Sequence, residues 1–223
     1  MKKTISLLFL SLLLFNICLA DKAHALSYDF YCITNELYGE IGKQIHMDVT
    51  SPAKDEVFFT FSNNGTTEYP SFSITDIYFD DNSSLIDFGN HTLEYFSYTL
   101  LFEKDATPPD LPGGNEVQFV TDYSFDSDPS VIENGINSGE ELGILFKLND
   151  GVSITSITDD LSNQDLRIGL HVQCINLSIP DDSGSFINNP TPVPEPASML
   201  LLGTGLTGIA GVIRKKKYGR GKS

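Results

Sequence analysis

The sequence has no tryptophan, and it contains only four histidines and three cysteines among its 223 residues. The histidines lie far apart, without the H-E-x-x-H pattern or the paired spacing that a transition-metal site needs. The G-x-S-x-G elbow of serine hydrolases and the glycine-rich loops that hold phosphate groups are also missing. These absences argue against the common classes of catalytic site, and we predict that the protein is not an enzyme.

Basic residues are scarce between the two ends of the chain. The whole sequence carries 14 Lys and Arg against 30 Asp and Glu, which gives a formal net charge of −16. Residues 26–195 contain five basic and 29 acidic residues, so this part has a net charge of −24. Binding to nucleic acid or to anionic lipid needs clustered Lys and Arg. The charge of the central part therefore argues against both partners.

The first 25 residues have the pattern of an export signal. Two lysines are followed by a largely apolar run without charge, from residue 5 to residue 20. Ala23 and Ala25, with one residue between them, then give the small-x-small pattern of a signal peptidase site. We therefore predict that residues 1–25 are a signal peptide, cleaved after Ala25, and that the rest of the chain is exported.

The other end of the chain contains a second membrane element. Residues 197–213 carry no charge and are at the short limit of the roughly 17–25 residues that span a bilayer as a helix. The basic residues that follow at once are Arg214, Lys215, Lys216 and Lys217. Because such residues keep their end of a helix in the cytoplasm, we predict a transmembrane helix over residues 197–213 and a cytoplasmic tail over residues 214–223.

A proline-rich segment joins the central part to this apolar run. Residues 189–196 contain four prolines, among them Pro194 and Pro196 on either side of Glu195. Prolines at this density exclude a helix and a sheet strand, and they favour an extended, polyproline-like stalk. We predict that the stalk is accessible to a processing peptidase.

The order of stalk, apolar run and basic cluster resembles the PEP-CTERM sorting signal of Gram-negative bacteria. The resemblance extends from residue 191 to about residue 217, and Pro194, Glu195 and Pro196 match the signature. It implies that exosortase, a membrane-embedded cysteine peptidase, recognises the signal, cuts near the Pro-Glu-Pro and passes the protein to the cell surface. It also implies export across the inner membrane, transient anchoring there, and a final place at the surface or in an extracellular matrix of exopolysaccharide and biofilm.

The central part, residues 26–188, has strand-like patterns and no long helical periodicity. Short apolar runs are separated by turn residues, which favours the strands of an antiparallel sheet. The predicted strands are residues 57–61, 72–79, 93–102, 117–125, 142–148, 152–157 and 166–175. We predict one all-β domain, an antiparallel β-sandwich of the jelly-roll or immunoglobulin-like type, with a helical turn at residues 159–163 and a long loop over residues 125–143.

Two cysteines remain after removal of the signal peptide, since Cys18 lies within it. Two thiols in an oxidising compartment favour a disulfide, and we predict one between Cys32 and Cys174. It would close a loop of about 140 residues and, in the chain-entropy model, stabilise the fold by roughly 4–5 kcal/mol. The alternative is two separate buried thiols.

One acidic loop has the composition of a calcium site. Asp126 and Asp128 stand on alternate residues in a stretch rich in Asp, Asn and Ser, and oxygen ligands from flexible loops are what Ca²⁺ prefers. The stretch lacks the glycine and glutamate of the EF-hand pattern. We predict calcium as a candidate ligand of Asp126 and Asp128, with solvated turns as the alternative, and we expect no other cofactor.

The sequence leaves three functions open for the mature domain. The first is a structural or adhesive role in exopolysaccharide or biofilm, the second is a carbohydrate-binding module, and the third is a secreted polysaccharide hydrolase. The second needs exposed aromatic rings, although the absence of tryptophan weakens the usual stacking platform. The candidates are Tyr69, Tyr95, Phe96, Tyr98 and Tyr123. The third needs two carboxylates at a suitable distance across a cleft.

Overall fold

The computed structural model describes residues 26–35, 38–65, 72–127, 132–173 and 182–191. The predicted signal peptide, transmembrane helix and basic tail lie outside these ranges, as does the predicted stalk from residue 192 onward. Within the described ranges, no helix is long and apolar enough to cross a membrane.

The described chain forms ten strands and two helices. The strands are β1 (Leu26–Cys32), β2 (Ile45–Thr50), β3 (Glu56–Asn63), β4 (Ser73–Asp81), β5 (Ile86–Tyr95), β6 (Phe102–Lys104), β7 (Tyr123–Ser127), β8 (Glu141–Leu148), β9 (Leu166–Gln173) and β10 (Ser183–Asn188). The helices are the single turn α1 (Gly39–Gly42) and the longer α2 (Ile154–Asn163). Short 3₁₀ turns occur at Gly114–Val117 and Ile132–Asn134.

All ten strands belong to one sheet, in the order β5-β8-β3-β2-β1-β10-β9-β4-β7-β6. Every pairing between neighbours is antiparallel. β1 joins two halves of the sheet, because its residues 26–29 pair with β2 while residues 30–32 pair with β10. We name β5-β8-β3-β2 the first half-sheet and β10-β9-β4-β7-β6 the second half-sheet. A strand that changes partner along its length is a corner at which a sheet can fold onto itself.

The two edge strands, β5 and β6, approach each other. The hydroxyl of Tyr95 at the end of β5 donates a hydrogen bond of 2.9 Å to the carbonyl of Phe102 at the start of β6. The ten-stranded sheet is therefore nearly closed. The prediction of an antiparallel all-β domain is confirmed, but the finer prediction of a jelly-roll or immunoglobulin-like sandwich is not, because the strands form one continuous sheet.

The core lies between the two half-sheets and is built largely from phenylalanine. Side chains alternate between the faces of a strand, so every second residue points inward. Phe59 and Phe146 of the first half-sheet meet Phe79 and Phe125 of the second, and all four are fully buried. The ring centre of Phe79 lies 5.7 Å from that of Phe59 and 5.2 Å from that of Phe146, both in edge-to-face geometry. This arrangement is one that aromatic pairs favour.

The strand predicted for residues 152–157 is wrong, because this stretch begins α2. The hydroxyl of Ser153 caps the helix and accepts the backbone N–H of the third residue after it at 3.4 Å. Ile157 and Leu161, four residues apart, are both fully buried. The N-cap and the apolar pair on one helix face outweigh the β-branched composition of the stretch. The helical turn predicted at residues 159–163 is the second half of this helix.

Other boundaries follow the sequence pattern only in part. The strands predicted in β3, β4, β8 and β9 are confirmed, whereas the strand predicted over residues 93–102 ends at Tyr95 and that over residues 117–125 begins only at Tyr123. The loop predicted over residues 125–143 includes the end of β7 and the start of β8. β2 and β10 were not predicted as strands; β10 reads Ser-Gly-Ser-Phe-Ile-Asn, with only two adjacent large apolar residues.

Candidate functional site

The outer face of the first half-sheet carries an aromatic patch. A Cβ atom added to Gly143 of β8 would lie 2.3 Å from Cζ of Phe58 and 3.2 Å from Cε2 of Phe96. The absence of a side chain at this strand position therefore lets both rings lie close to the sheet. Phe96 is 56% exposed and Phe58 is half-buried, so the two rings present an apolar surface to solvent. We name these three residues the aromatic patch.

The connection between β5 and β6, which starts at Phe96, carries further exposed apolar side chains. Tyr98 is fully exposed and Leu101 is 43% exposed. Leu100, between them, is buried and packs in the core. Large apolar side chains that face water in one place, rather than singly, indicate a contact surface.

The carboxylate of Glu140 helps to hold this connection, and the backbone N–H of Leu101 also donates a hydrogen bond of 3.0 Å to the carbonyl of Asn134. Glu140, directly before β8, accepts hydrogen bonds from the hydroxyl of Ser97 at 2.6 Å, from the hydroxyl of Thr99, and from the backbone N–H of Asn137 at 2.9 Å. Burial alone would raise the pKa of this carboxyl, but these hydrogen bonds outweigh burial and hold the pKa of Glu140 below its ordinary value. The charged form therefore orders the connection at neutral pH.

A pocket lies beside a β-bulge in β5, on the first half-sheet. The register between β5 and β8 shifts between Asp87 and His91. The carboxylate of Asp87 accepts the backbone N–H of Gly89 at 3.1 Å and the side-chain amide of Asn90 at 2.6 Å. Beside the bulge lies a pocket of about 250 Å³, whose lining includes Glu56, Asn90, His91, Thr92, Leu145 and Lys147. Bulges commonly occur next to functional sites, where they redirect side chains.

The outer face of the second half-sheet, in contrast, is covered by the chain itself. Residues 105–121, which we name the strap, lie over it. A Cβ atom on Gly169 of β9 would lie 2.7 Å from Cδ2 of Leu111 and 3.1 Å from Cζ of Phe119. The glycine thus allows the strap to pack directly on the sheet, and this face offers less open surface than the first.

A row of polar side chains lies beneath the strap. Asp76 of β4 stands opposite both His171 of β9 and Asp126 of β7. Nδ1 of His171 is 3.0 Å from Oδ2 of Asp76, and Oδ2 of Asp126 accepts the backbone N–H of Thr107 in the strap at 3.1 Å. The two aspartates are 2% and 8% exposed. The hydrogen bond from Thr107 to Asp126 thus fastens the strap to the sheet.

Of the two predicted calcium ligands, the structure describes only one. Asp126 is the buried residue of β7 just mentioned, and Asp128 lies outside the described residues. Among the residues that the structure describes, no group of three or more His, Cys, Asp or Glu side chains is arranged to hold a metal ion. Calcium binding at these two residues stays a prediction.

The predicted disulfide is likewise described at one end only. Cys32, the last residue of β1, is a free thiol whose sulfur accepts the backbone N–H of Asn35 at 3.4 Å. Cys174 lies outside the described residues and follows Gln173, where β9 ends. β10 lies between β1 and β9 in the sheet. The predicted pairing of Cys32 with Cys174 is therefore not confirmed, and it stays a prediction.

The aromatic residues predicted as glycan contacts fall into three groups. The exposed ones are Tyr95, Phe96 and Tyr98. Tyr123 is half-buried and stacks on a neighbouring phenylalanine, with the ring centres 5.0 Å apart. Tyr69 lies outside the described residues. The sequence prediction missed Phe58 and Gly143. An isolated glycine inside an apolar strand pattern is the signal that could have predicted a side chain packed close to the backbone at this position.

Asp81, at the end of β4, is a buried carboxyl whose charge is unfavourable. It is 5% exposed; one oxygen accepts the backbone N–H of Ile86 at 2.9 Å, and the other has no hydrogen-bond partner. Burial, with a contribution from Asp122 and Asp160, raises the pKa of Asp81 above its ordinary value. The pKa of Asp81 is higher in the folded state than in the unfolded chain, so the group contributes stability at pH values below its unfolded-state pKa. This contribution is lost as the pH rises through the folded-state pKa.

We therefore expect Asp81→Asn to stabilise the domain at neutral pH, since the amide keeps an acceptor for Ile86 and removes the charge. The gain over the wild type should shrink as the pH falls to about 4, near the pKa of an unfolded aspartate. Urea unfolding at both pH values measures the effect. Asp55→Asn is the control, and it should lower the stability at neutral pH instead of raising it, because the hydrogen bond from Lys147 lowers the pKa of exposed Asp55. A wild type that is more stable than Asp81→Asn at neutral pH would contradict this account.

β10 leads the chain directly to the predicted sorting segment. It ends at Asn188, and the backbone N–H of Asn189 donates a hydrogen bond of 2.9 Å to the carbonyl of Asp29 in β1. The side-chain amide of Asn189 also donates to the carboxylate of Asp29. The proline-rich segment thus starts from a fixed point on the sheet.

The segment that follows matches a known family model. Residues 192–216 match the model of the PEP-CTERM protein-sorting motif. The match includes Pro194, Glu195 and Pro196 and confirms the resemblance found in the sequence. The chain therefore carries a signal of the type that the membrane protein exosortase recognises, which implies export and membrane-associated sorting toward the cell surface. No curated protein and no solved structure matches the chain.

Proposed function

We propose that the protein is a surface protein of a Gram-negative bacterium, processed by exosortase near its Pro-Glu-Pro, whose mature domain has a structural or adhesive role in the exopolysaccharide matrix. The observation that carries the sorting part of the proposal is the match of residues 192–216 to the sorting motif. The order of export signal, folded domain, stalk, apolar run and basic tail supports transient anchoring in the inner membrane before release.

The properties of the mature domain support a place in a hydrated matrix. Residues 26–195 carry a net charge of −24, and a high charge of one sign keeps copies of a protein apart. The nearly closed sheet leaves little free strand edge for uncontrolled pairing. Contacts with matrix components would therefore use the side chains of its outer surface.

Replacing Glu195 by alanine tests the sorting role. We expect Glu195→Ala to leave the full chain in the membrane fraction, because the peptidase loses a residue of its recognition signature, while the wild type appears in shortened form at the cell surface or in the medium. Fractionation of cells that contain exosortase, followed by intact-mass analysis, measures the product.

The matched control is Glu103→Ala, which removes an exposed glutamate from β6 of the folded domain. We expect this variant to be processed like the wild type. Equal surface release of Glu195→Ala and wild type would refute the proposed processing.

A carbohydrate-binding module is the second candidate. The observation in its favour is the exposed aromatic patch, with Tyr98 beside it, on the same half-sheet as the pocket at the β5 bulge. A concave polar site next to exposed rings suits a ligand that has both hydroxyl groups and apolar C–H faces.

A further inference from the structure

We propose that the outer face of β5, β8 and β3 binds a neutral glycan chain. This inference rests on the carbohydrate-binding candidate and gives it a location and a ligand class. The site runs from the pocket at the β5 bulge, past Leu145, to the aromatic patch. We name this surface the outer groove.

The two ends of the outer groove lie along one strand. Lys147 lines the pocket, Leu145 is half-buried, and Gly143 lies beneath the rings of the aromatic patch. These alternate residues of β8 share one face of the sheet. Four residues at strand spacing separate the ends by about 13 Å, which suits a short oligosaccharide better than a single sugar.

The aromatic end supplies the apolar contact. The C–H face of a sugar ring can cover an aromatic ring and bury apolar area, while the hydroxyls stay free for hydrogen bonds. Phe58 and Phe96 converge above Gly143, and Tyr98 projects from the following connection. Because the contacts to Glu140 already hold this connection, a ligand pays little entropy to order it.

The polar end supplies hydrogen-bonding groups of both kinds. The amide of Asn90 donates and accepts, the hydroxyl of Thr92 does the same, and the carboxylate of Glu56 accepts, which matches sugar hydroxyls. The ammonium group of Lys147 lies 3.0 Å from carboxylate oxygens of both Glu56 and Asp55. It is therefore already paired with acids and does not make the pocket an anion site.

The charge around the outer groove selects against anionic polymers. Glu94 of β5 and Glu141 of β8 are exposed beside the aromatic patch, in a domain region whose net charge is −24. These carboxylates repel an anionic polysaccharide or an anionic lipid surface, whereas they accept hydrogen bonds from neutral sugar hydroxyls. A neutral glycan is the ligand class that fits a surface with both apolar rings and carboxylates that accept hydrogen bonds.

Affinity electrophoresis of the full chain in detergent tests the site. The gels contain dextran, galactomannan or hydroxyethyl cellulose as neutral polymers, or alginate as the anionic one. We expect retardation by at least one neutral polymer and none by alginate. Phe96→Ala and Tyr98→Ala should each raise the dissociation constant about tenfold, a loss of about 1.4 kcal/mol that lies between a neutral contact and a hot spot. Phe96→Tyr keeps a ring and should keep binding.

Tyr31→Ala is the matched control, because it removes a tyrosine of β1 that is 38% exposed and lies outside the outer groove. It should bind like the wild type. Failure of every neutral polymer to bind, binding to alginate alone, or equal losses in Tyr31→Ala and Phe96→Ala would overturn the proposal. Self-association that Phe96→Ala abolishes, without glycan binding, would make this face a protein contact instead. Surface release of the same variants should be normal, which separates this site from the sorting signal.

Discussion

Replacing Arg167 by methionine should destabilise the domain by about 3–5 kcal/mol, because it leaves a buried carboxylate without its counter-charge. The partner is Asp80 of β4, whose side chain is fully buried, and the Arg167 side chain is only 14% exposed. The guanidinium also donates to the carbonyls of Val117, at 2.8 Å, and Gln118 in the strap. The same substitution therefore removes a charge pair and two of the contacts that hold the strap on the second half-sheet.

Urea unfolding, followed by circular dichroism, measures this loss. The matched control is Lys147→Met, which removes an ion pair whose lysine side chain is 45% exposed, and exposed pairs contribute only about 0–1 kcal/mol. Adding Asp80→Asn to Arg167→Met should recover part of the stability, since the unpaired charge is then gone. Equal midpoints for Arg167→Met and Lys147→Met would show that the buried pair does not stabilise the fold.

The ion pair between Arg167 and Asp80 could not be predicted from the sequence pattern. Arg167 and Asp80 are 87 positions apart and meet only because β9 and β4 are neighbours in the sheet. Alternating apolar residues identify individual strands such as β3 and β8, because burial of one face leaves a local period. The order of strands depends on contacts between distant segments, and a local period carries no information about it.

Contacts between distant segments also explain why the sequence pattern failed for α2 and for β10. Residues 152–157 have the β-branched composition of a strand, and the structure makes them the first part of α2 because Ile157 and Leu161 are buried together. β10 pairs with both β9 and β1 although few of its residues are large and apolar. In both cases tertiary burial or backbone pairing decides the conformation where the local composition points elsewhere.

The sorting signal and the outer groove also differ in how far the sequence predicts them. The sorting signal is contiguous, so its prolines, apolar run and basic residues could be recognised in order, and the family match at residues 192–216 confirms that reading. The outer groove is assembled from β3, β5 and β8. Composition indicated Phe96 and Tyr98 as candidates, but the contribution of Phe58 depends on the register that brings it beside Gly143.

Replacing Phe79 by alanine should cost about 3–5 kcal/mol, the usual range for a fully buried phenylalanine, because this ring connects the two half-sheets. Phe79 belongs to the second half-sheet, and its ring centre lies 5.2 Å from that of Phe146 and 5.8 Å from that of Phe88 in the first. The cavity left by the ring would lie in the middle of the core, where backbone on both sides limits relaxation.

The same urea experiment measures the loss, and Phe79→Leu should fall between the wild type and Phe79→Ala because it fills part of the cavity. Tyr98→Ala is the control: it removes a ring that is fully exposed and should change the free energy of unfolding by no more than about 0.5 kcal/mol. Near-ultraviolet circular dichroism reports whether the remaining rings keep their packing. If Phe79→Ala cost no more than Tyr98→Ala, the two half-sheets would not share one aromatic core, and the closure of the sheet would have to depend on β1 and the contact between Tyr95 and Phe102 alone.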